Sequence, residues 1–352
     1  MRIAIDISQI VYGTGVSHYR RHLAEILPRI DGSNEYVLFA GAFRRKKEML
    51  TAFPKAKVFP IPPVVADIVW NKLHILPIEK LIGEVDLIHT SDWAEPPSRF
   101  PKVTTVHDLI PLKFPRIIPK VILSAHRDRM KWVAREARRV IVPSENTKKD
   151  LVEFGFDPSI IRVIPEASNL GKVNDQDVQN VKRRYQIRND YIISIGTKSW
   201  KNLDRIISAF HLSKSGKNLK LIVVGERKGT HFEDERGVRF LGHVPDGDLS
   251  PLLTGAKALV FASLYEGFGV PILDGFACGV PVVTSNTSSM PEVAGSAAVL
   301  VDPYNVNSIA EGIEKALSAP KTYISLGSKR VKAFSWEKTA RETLNVYKEI
   351  GE

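Results

Sequence analysis

Residues 258–284 read ALVFASLYEGFGVPILDGFACGVPVVT. In this stretch an apolar run over residues 258–262 predicts a strand, and a glycine-containing loop follows it. A helical pattern then covers residues 271–278, and a second apolar run over 280–284 predicts the next strand. Strand, loop, helix and strand in this order form one βαβ unit, in which the two strands lie parallel in the same sheet.

The same alternation of strands and helices extends outward in both directions. The other predicted strands cover residues 2–6, 36–40, 58–61, 86–90, 103–107, 140–143, 161–165, 191–196, 219–225 and 238–241. The other predicted helices cover residues 16–27, about 119–139, 203–212, 308–317 and 336–350. Alternating strands and helices predict an α/β fold with a largely parallel sheet.

The polar stretch over residues 167–189 interrupts this alternation and predicts a domain boundary. We expect an N-terminal domain over residues 1–170, a linker over 171–189 and a C-terminal domain over 190–335. A final helix over 336–352 is expected to pack back on the N-terminal domain. Two doubly wound, Rossmann-like domains predict a deep cleft between them, with ligands outside the carboxyl ends of the strands.

The composition excludes several classes of protein. Hydrophobic residues make up 43% and charged residues 25% of the 352 residues, which excludes a disordered or fibrous chain. Cys278 is the one cysteine, so neither an internal disulfide nor a cysteine-cluster metal site can form. The formal net charge of +11 favours anionic partners such as nucleotide phosphates or anionic lipid, with a solvated basic surface as the alternative.

No stretch of the sequence predicts a transmembrane helix. The richest apolar stretch, residues 58–70, contains three prolines and Asp67, and the early Asp6 argues against a signal peptide. We therefore expect a cytoplasmic protein. Residues 113–139 hold nine Lys or Arg against two acidic residues, and this basic segment predicts either a peripheral contact with an anionic membrane or a solvated helix face. No nucleic-acid-binding motif is evident.

The loop after residue 262 carries the strongest chemical signal. Gly267 and Gly269 allow the backbone to approach a ligand closely, and the amides at the start of the next helix point into the loop. Glu266 and Asp274 can accept hydrogen bonds from the vicinal hydroxyls of a sugar and a ribose. The alternative is that Glu266 only complements the helix dipole and that Asp274 is solvated.

This loop and helix resemble the signature of family 4 of the retaining glycosyltransferases, which have the GT-B fold. The signature is Glu, seven residues, Glu and then Ala-x-Ala-x-Gly-x-Pro-Val. Here Glu266 is followed after seven residues by Asp274, so the second carboxylate is shortened, and Gly275 replaces an Ala. Residues 193–203 and 240–245 are similar to further segments of the family, and the N-terminal half matches more thinly through residues 13–15 and 106–111.

The resemblance implies a hexosyltransferase that acts with retention. It would move a sugar from a nucleotide-sugar, with a UDP-sugar as the expectation, to a hydroxyl of a sugar, glycan or lipid-linked glycan in polysaccharide or glycolipid assembly. No cofactor is expected besides this co-substrate. The alternatives are a GT-B nucleotide-sugar epimerase or hydrolase and a non-catalytic nucleotide-binding protein. A dinucleotide oxidoreductase is disfavoured because the loop over residues 13–15 lacks the third glycine of that fingerprint.

The resemblance also implies roles for individual residues. Its catalytic candidates are His107, Glu266 and Lys201. Its donor-binding candidates are Gly13, Thr14, Gly15, Thr197, Lys198, Lys201, Val244, Glu266, Gly267, Phe268, Gly269, Val270 and Asp274. Lys198 and Lys201 would bind the diphosphate, Asp274 the ribose, and Glu266 with the amides of residues 268–270 the donor sugar. The backbone near Val244 would face the base, whereas His107 and residues 13–15 would close over the donor. Surface lysines and a core histidine are the alternatives.

Two Asp-x-Asp triplets, residues 175–177 and 246–248, raise the question of a divalent metal. The first lies in the predicted linker. The second precedes a predicted helix, for which Asp248 is the predicted N-cap. We therefore expect no metal site and a metal-independent reaction.

Overall fold

The structure is a computed structural model that describes residues 1–13, 15–91, 93–226 and 237–351. The chain forms two compact units. The first unit comprises Met1–Glu166 together with Trp336–Glu352, and the second comprises Ala167–Ser335. The chain thus leaves the first unit after Glu166 and returns to it at Trp336.

The first unit is built on a 7-stranded sheet in the order β3-β2-β1-β4-β5-β6-β7, in which all recorded pairings are parallel. Its strands are β1 (Arg2–Asp6), β2 (Glu35–Gly41), β3 (Lys57–Phe59), β4 (Leu87–Ser91), β5 (Lys102–Thr105), β6 (Ala137–Val142) and β7 (Ile161–Val163). The strand order reverses between β1 and β4, and such a switch point is where doubly wound sheets bind ligands.

Helices connect these strands. They are α1 (Gly15–Ile30), α2 (Lys46–Ala52), α3 (Pro63–Ala66), α4 (Glu79–Ile82), α5 (Ile110–Lys113), α6 (Lys120–Glu136) and α7 (Glu145–Glu153). A π-helical segment, Asp67–Lys72, continues α3, and a 3-10 turn, Pro158–Ile160, precedes β7. The sequence predicts that α6 continues to residue 139, but residues 137–142 form β6 because they pair with β5.

The second unit is built on a 6-stranded parallel sheet in the order β10-β9-β8-β11-β12-β13. Its strands are β8 (Tyr191–Ile195), β9 (Lys220–Val224), β10 (Val238–Gly242), β11 (Leu259–Phe261), β12 (Val282–Ser285) and β13 (Val299–Val301). Its helices are α8 (Asp175–Arg184), α9 (Leu203–Leu212), α10 (Asp246–Thr254), α11 (Val270–Ala277), α12 (Met290–Ala294), α13 (Val306–Ser318) and α14 (Pro320–Arg330). Three 3-10 turns, Ser199–Lys201, Ser215–Lys217 and Val331–Ala333, complete the unit.

Both faces of the second sheet are buried. Alternate residues of a strand point to opposite faces, so Tyr191 and Ile193 join one core cluster and Ile192 joins the other. The first cluster includes residues of α10, α11 and α12, and the second includes residues of α9 and α13. Burial on both faces explains why these strands read as continuous apolar runs rather than as alternating ones.

The predicted linker over residues 171–189 contains helix α8. Asn174 caps this helix by accepting a hydrogen bond from the Asp177 amide at 2.9 Å, and Val178 and Val181 are buried. The sequence did not predict this helix, because most of its residues are polar and only a narrow apolar stripe faces the core. The segment belongs to the second unit.

The last helix, α15 (Trp336–Gly351), belongs to the first unit, where it packs against α1. Trp336 stacks on His22 with a centroid distance of 4.8 Å, and the Tyr347 hydroxyl lies 2.6 Å from His89 Nδ1. Arg139 and Arg162 both bind Glu349 at 2.7 Å. Aromatic packing, a buried hydrogen bond and these ion pairs together hold the helix to the unit.

Candidate functional site

The carboxyl ends of β8 and β11 lie side by side in the second sheet, at the point where its strand order reverses. The turn Ser199–Lys201 follows β8, and residues 262–269 follow β11. Backbone groups connect the two loops, since the Leu264 amide donates to the Trp200 carbonyl at 2.7 Å. Ligands of doubly wound sheets bind at such a switch point.

Two predicted site residues meet here. Lys201 Nζ lies 2.7 Å from Glu266 Oε1, and the ammonium group lies 4.8 Å from the centroid of the Phe261 ring. Both side chains are mostly buried but retain some exposure, 20% for Lys201 and 11% for Glu266. The pair therefore offers a cation and a carboxylate on the ligand side of the sheet.

The loop backbones around this pair are held by residues that the sequence argument did not single out as functional. Asn202 is in the left-handed conformation, and its side-chain amide donates to the carbonyls of Ala262 and Pro303 at 2.9 and 2.7 Å. The Ser288 and Ser289 hydroxyls donate to the Glu266 carbonyl at 2.7 and 2.9 Å. These contacts fix the backbone from which Lys201 and Glu266 project.

Gly196 lets Lys201 take its position. Its φ is +96°, and a Cβ at this residue would lie 2.9 Å from Cγ of Lys201. A side chain would therefore collide with the lysine methylenes that cross the glycine. Glycine satisfies both the backbone conformation and the close approach.

Helix α11 begins directly after the glycine loop. Gly269 is its N-cap, with φ of +108°, and Val270 is its first residue. Phe268 is buried in the core, and the Ser289 hydroxyl donates to its carbonyl at 2.6 Å. Gly267 lies between Glu266 and the buried Phe268. The amides of the first turn of α11 thus follow Glu266 by only a few residues, as the sequence predicts.

Asp274 lies one turn inside α11 and is buried. Its Oδ1 accepts a hydrogen bond from the Ser168 hydroxyl at 2.5 Å. Burial raises the pKa of Asp274 to about 7, and the Ser168 hydrogen bond offsets only part of that rise. Ser168 was not predicted, although it follows the last strand of the first unit and is therefore a position at which a polar residue is informative.

The remaining donor-binding candidates of the second unit lie on neighbouring loops. The Thr197 hydroxyl donates to the Glu226 carbonyl, and Lys198 is exposed. The Val244 side chain belongs to the core cluster around α11, so a contact with a base would have to come from the backbone of this segment. The segment that follows β9, residues 227–236, lies outside the described residues.

In the first unit, His107 follows β5 and is buried. Its Nδ1 lies 2.8 Å from Oε1 of Glu166, the residue at which the chain leaves this unit. The Tyr19 ring meets the imidazole edge to face, with a centroid distance of 4.6 Å and an interplanar angle of 83°. Glu166 was not predicted as a site residue.

The loop after β1 carries the other candidates of the first unit. Gly13, with φ of +64°, and Gly15 are exposed, and a Cβ at either residue would have no neighbour within 4 Å. Thr14 lies outside the described residues.

The two aspartate triplets make other contacts. Asp248 lies in the first turn of α10, whose N-cap is Pro245, so the prediction that Asp248 is the cap is wrong. Its carboxylate instead accepts hydrogen bonds from Arg184 at 2.5 Å and the Tyr185 hydroxyl at 2.9 Å. Across residues 1–13, 15–91, 93–226 and 237–351, the structure has no group of three or more His, Cys, Asp or Glu side chains arranged to hold a metal ion.

Comparison with known proteins assigns the chain. Residues 177–332 match the family described as Glycosyl transferases group 1, and residues 13–171 match Glycosyltransferase Family 4. The O-antigen chain mannosyltransferase B of Escherichia coli is 31% identical over 275 residues, which cover 70% of each chain. The chain belongs to glycosyltransferase family 4.

Two further proteins are similar to this family 4 glycosyltransferase. The serotype-specific mannosyltransferase WbdA of Escherichia coli is 28% identical over 227 residues, which cover 58% of this chain and 28% of WbdA. The structure of HepE from Anabaena in complex with UDP and glucose gives a TM-score of 0.73 at 18% identity. That match covers 99% of this chain and 100% of HepE, and it shows the GT-B fold.

Within the family assignment, the pair Lys201–Glu266 and helix α11 fall in the region that matches Glycosyl transferases group 1. His107 and Glu166 fall in the region that matches Glycosyltransferase Family 4. Among the described residues, no helix is both long and apolar enough to cross a membrane.

Proposed function

We propose that this glycosyltransferase transfers a mannosyl residue, with retention, from a nucleoside-diphosphate sugar to a hydroxyl of a glycan acceptor. The observation that carries the proposal is the pair Lys201–Glu266 at the switch point, directly before the first turn of α11. A cation, a carboxylate and helix amides in one place suit a diphosphate that is joined to a sugar. The mannosyltransferase relatives support mannose as the sugar, and the HepE complex supports UDP as the nucleotide.

Each group would have a separate task in the reaction. Lys201, with Lys198 beside the same turn, would stabilise the negative charge that develops on the diphosphate as the sugar–phosphate bond breaks. Glu266 would accept hydrogen bonds from the sugar hydroxyls, and Asp274 from the ribose. His107 would contact the donor, as the family resemblance implies. We expect front-side attack, in which the leaving phosphate helps to accept the acceptor proton.

A donor panel and calorimetry test this assignment. Release of sugar from UDP-, GDP- and ADP-sugars, with and without glycan acceptors, identifies the donor. Free sugar as the sole product with every acceptor would instead favour a hydrolase. Glu266→Ala should lose most of the transfer activity but bind the free nucleotide nearly as wild type does. Asp274→Ala should weaken nucleotide binding by about 1.5–3 kcal/mol, the scale of a hydrogen bond to a charged group.

If both variants weaken the nucleotide equally, the division between sugar and ribose is wrong. Asp274→Glu adds one methylene to a buried side chain and should bind the nucleotide more weakly than wild type, because Ser168 already lies at hydrogen-bond distance. Tighter binding by Asp274→Glu would contradict the proposed ribose contact.

Metal independence is a further part of the proposal. Asp248 is held by Arg184 and Tyr185, which leaves lysines and helix amides as the groups for the diphosphate. Transfer should therefore continue in EDTA. Complete loss of transfer that Mn²⁺ or Mg²⁺ restores would contradict this proposal.

We also propose a peripheral contact with an anionic membrane through the first unit. A basic stripe on α6, comprising Arg127, Lys131 and Arg135, is exposed at helical spacing. Arg135 lies over the Trp132 ring at 5.3 Å, and Trp132 stacks on His74 at 3.5 Å. Not all of the basic segment contributes, because Arg129 is buried and donates to Thr104 Oγ1 at 2.8 Å.

His74 belongs to an apolar segment, residues 64–76, which comprises most of α3, the π-helical segment and the residues after it, and which therefore adjoins the Arg135 end of the stripe. The exposed apolar side chains of this segment are Val64, Val65, Ile68, Leu73, Ile75 and Leu76. The segment is anchored, since the Trp70 indole donates to the Leu76 carbonyl at 3.1 Å. Cations beside exposed apolar side chains match an anionic bilayer surface, which attracts the former and buries the latter.

Vesicle sedimentation tests the contact. Binding to phosphatidylglycerol vesicles should exceed binding to phosphatidylcholine vesicles and should fall as salt rises, because the Debye length shrinks to about 8 Å at about 0.15 M. The double variant Leu73→Ser/Ile75→Ser should bind these vesicles less, whereas Leu212→Ser, at an exposed leucine of the second unit, should not. Equal binding to both vesicle types, or no binding at low salt, would overturn the proposal.

A further inference from the structure

Two buried histidines of the first unit have different partners. His107 Nδ1 lies 2.8 Å from the Glu166 carboxylate, and both side chains are only 7% exposed. His89 instead lies between two hydroxyls, that of Tyr347 at 2.6 Å from Nδ1 and that of Thr105 at 2.7 Å from Nε2. A carboxylate favours the charged imidazolium, whereas hydroxyl groups and burial favour the neutral ring.

The charged groups around these rings reinforce the difference. Burial, with smaller contributions from Arg20 and His107, holds the pKa of His89 well below its ordinary value. His89 therefore stays neutral. Two buried cations lie on this side of the unit, Arg20 and Arg129, of which Arg129 donates to the Thr105 carbonyl at 3.2 Å. Tyr19 is a titratable group in contact with His107, and burial raises its pKa, so the phenol stays neutral. Glu166 is thus an anionic side chain that faces His107.

The structure holds Glu166 firmly in place. It follows β7 and Pro165, whose carbonyl accepts a hydrogen bond from the Thr339 hydroxyl of α15 at 2.7 Å. The Trp336 ring of the same helix packs on Tyr19 at 6.0 Å, and Tyr19 in turn packs on His107. Helix α15 therefore supports both members of the pair His107–Glu166.

We propose that Glu166 is a positioning residue for His107, which it keeps protonated at Nδ1 and in the imidazolium form, so that Nε2–H is presented as a charged hydrogen-bond donor. This inference rests on the proposed function, in which His107 contacts the donor. A carboxylate can only accept, so the proton between the two groups belongs to Nδ1. A cationic Nε2–H donor suits a hydroxyl of the donor sugar or an oxygen of the departing diphosphate.

A titration of the imidazole tests the pair without any substrate. Histidine ring NMR would follow His107, assigned by its loss in His107→Asn, in wild type and in Glu166→Gln. Glutamine keeps the shape of the side chain but removes its charge. The His107 ring should then titrate at a lower pH, by about 1 pH unit or more, which is the scale for loss of a paired opposite charge. Glu166→Asp keeps the charge and should shift the titration less.

A pH profile of transfer gives the functional readout. In Glu166→Gln, kcat/KM should fall by about 10- to 100-fold, the scale for loss of a partner that orients a functional side chain, and its alkaline limb should move to lower pH. Glu166→Asp should recover part of both effects. Glu25→Gln removes an exposed carboxylate that faces Arg21 in the same unit, and it should change neither the titration nor the profile.

The outcomes separate this inference from the proposed function. An unchanged His107 titration in folded Glu166→Gln overturns the positioning role, whatever the activity. A shifted titration with an unchanged pH profile shows a merely structural pair and also overturns that role. If no nucleotide-sugar supports transfer by the wild type, the proposed function fails, while the NMR shift still reports on the pair. If Glu166→Gln does not fold, the same criteria apply to Glu166→Asp, whose titration must then differ from wild type.

Discussion

Each unit carries an acidic side chain paired with a basic one just beyond its strands, and the two pairs differ in accessibility. In the second unit, Lys201 and Glu266 are 65 residues apart in sequence, and Lys201 retains 20% exposure. In the first unit, His107 and Glu166 are 59 residues apart and both are 7% exposed. A partly exposed pair can exchange its internal ion pair for contacts to a ligand. The two side chains of a buried pair stay in contact, and one of them determines the charge of the other.

The difference in accessibility follows from the loops. Lys201 and Glu266 lie at the switch point, where adjacent loops diverge and leave room for a ligand. His107 is covered by Tyr19, which Trp336 of α15 supports from behind. Substitutions of Lys201 or Glu266 should therefore act on binding and turnover directly, whereas substitutions of Glu166 should act through the pH dependence.

The largest expected effect is that of Lys201→Ala. If Lys201 contacts the diphosphate, its loss should cost roughly 2–4 kcal/mol in transition-state stabilisation, measured as kcat/KM for transfer. Lys257→Ala is the matched control, because Lys257 forms an exposed ion pair with Asp190 in the same unit at 3.2 Å. If Lys201→Ala turned over the donor nearly as fast as wild type, Lys201 would not contact the diphosphate. The pair Lys201–Glu266 would then be an internal ion pair, like His107–Glu166.

An intermediate effect is expected for Gly196→Ala, which moves Lys201 without removing it. Alanine would have to adopt the positive φ of +96° at this position, which is unfavourable for a residue with a side chain. Its Cβ would also lie 2.9 Å from Cγ of Lys201. The variant should lose about 1–3 kcal/mol in the free energy of unfolding, measured with denaturant, and should also lose transfer activity. Gly247→Ala is the control, since its Cβ would meet open space on helix α10. Full activity in Gly196→Ala would show that the position of Lys201 is not critical.

The last expected effect is on the pH dependence of stability rather than on transfer, and it concerns Asp274, a buried carboxyl that accepts a hydrogen bond from a hydroxyl rather than from a cation. Its folded pKa of about 7 lies above its ordinary value of 3.8, so protonation stabilises the folded state. This contribution is present below about pH 4 and is lost as the pH rises towards 7, at about 1.4 kcal/mol per pH unit. Relative to Asp274→Asn, the free energy of unfolding of the wild type should therefore fall with pH across this range.

Denaturant unfolding at several pH values measures this difference. Asp190→Asn removes an exposed carboxylate and should reproduce the wild-type slope. Parallel slopes for wild type and Asp274→Asn would mean that Asp274 is ionised throughout.

Most of the architecture could be predicted from the sequence. Buried parallel strands read as short apolar runs, and the structure places the predicted ones within a few residues of their expected bounds. Helices α2, α3, α4, α5, α7, α8, α12 and α14 and strand β13 were not predicted. Helix α8 is polar on most of its surface, and α12 and β13 span only five and three residues, which is too short for a periodic pattern.

The site could be predicted where neighbouring positions in one loop carry the signal. Glu266 and Lys201 were both identified, although the distance between their side chains could not be predicted from the sequence. Glu166 and Ser168 were not predicted as site residues, because their partners, His107 and Asp274, lie 59 and 106 residues away in sequence. Their one sequence signal is that they follow a strand, β7, at the carboxyl edge of the sheet.

Helix α15 has a consequence for biosynthesis. Its residues come last in this sequence, yet they complete the unit that begins it, so the second unit is an insertion between Glu166 and Trp336. During translation, the inserted unit has all of its strands before α15 emerges from the ribosome. Until then, Tyr19 and His89 lack the Trp336 and Tyr347 side chains that cover them. The first unit therefore cannot be completed until the second unit has been synthesised, unlike domains that are completed one after another in N-to-C order.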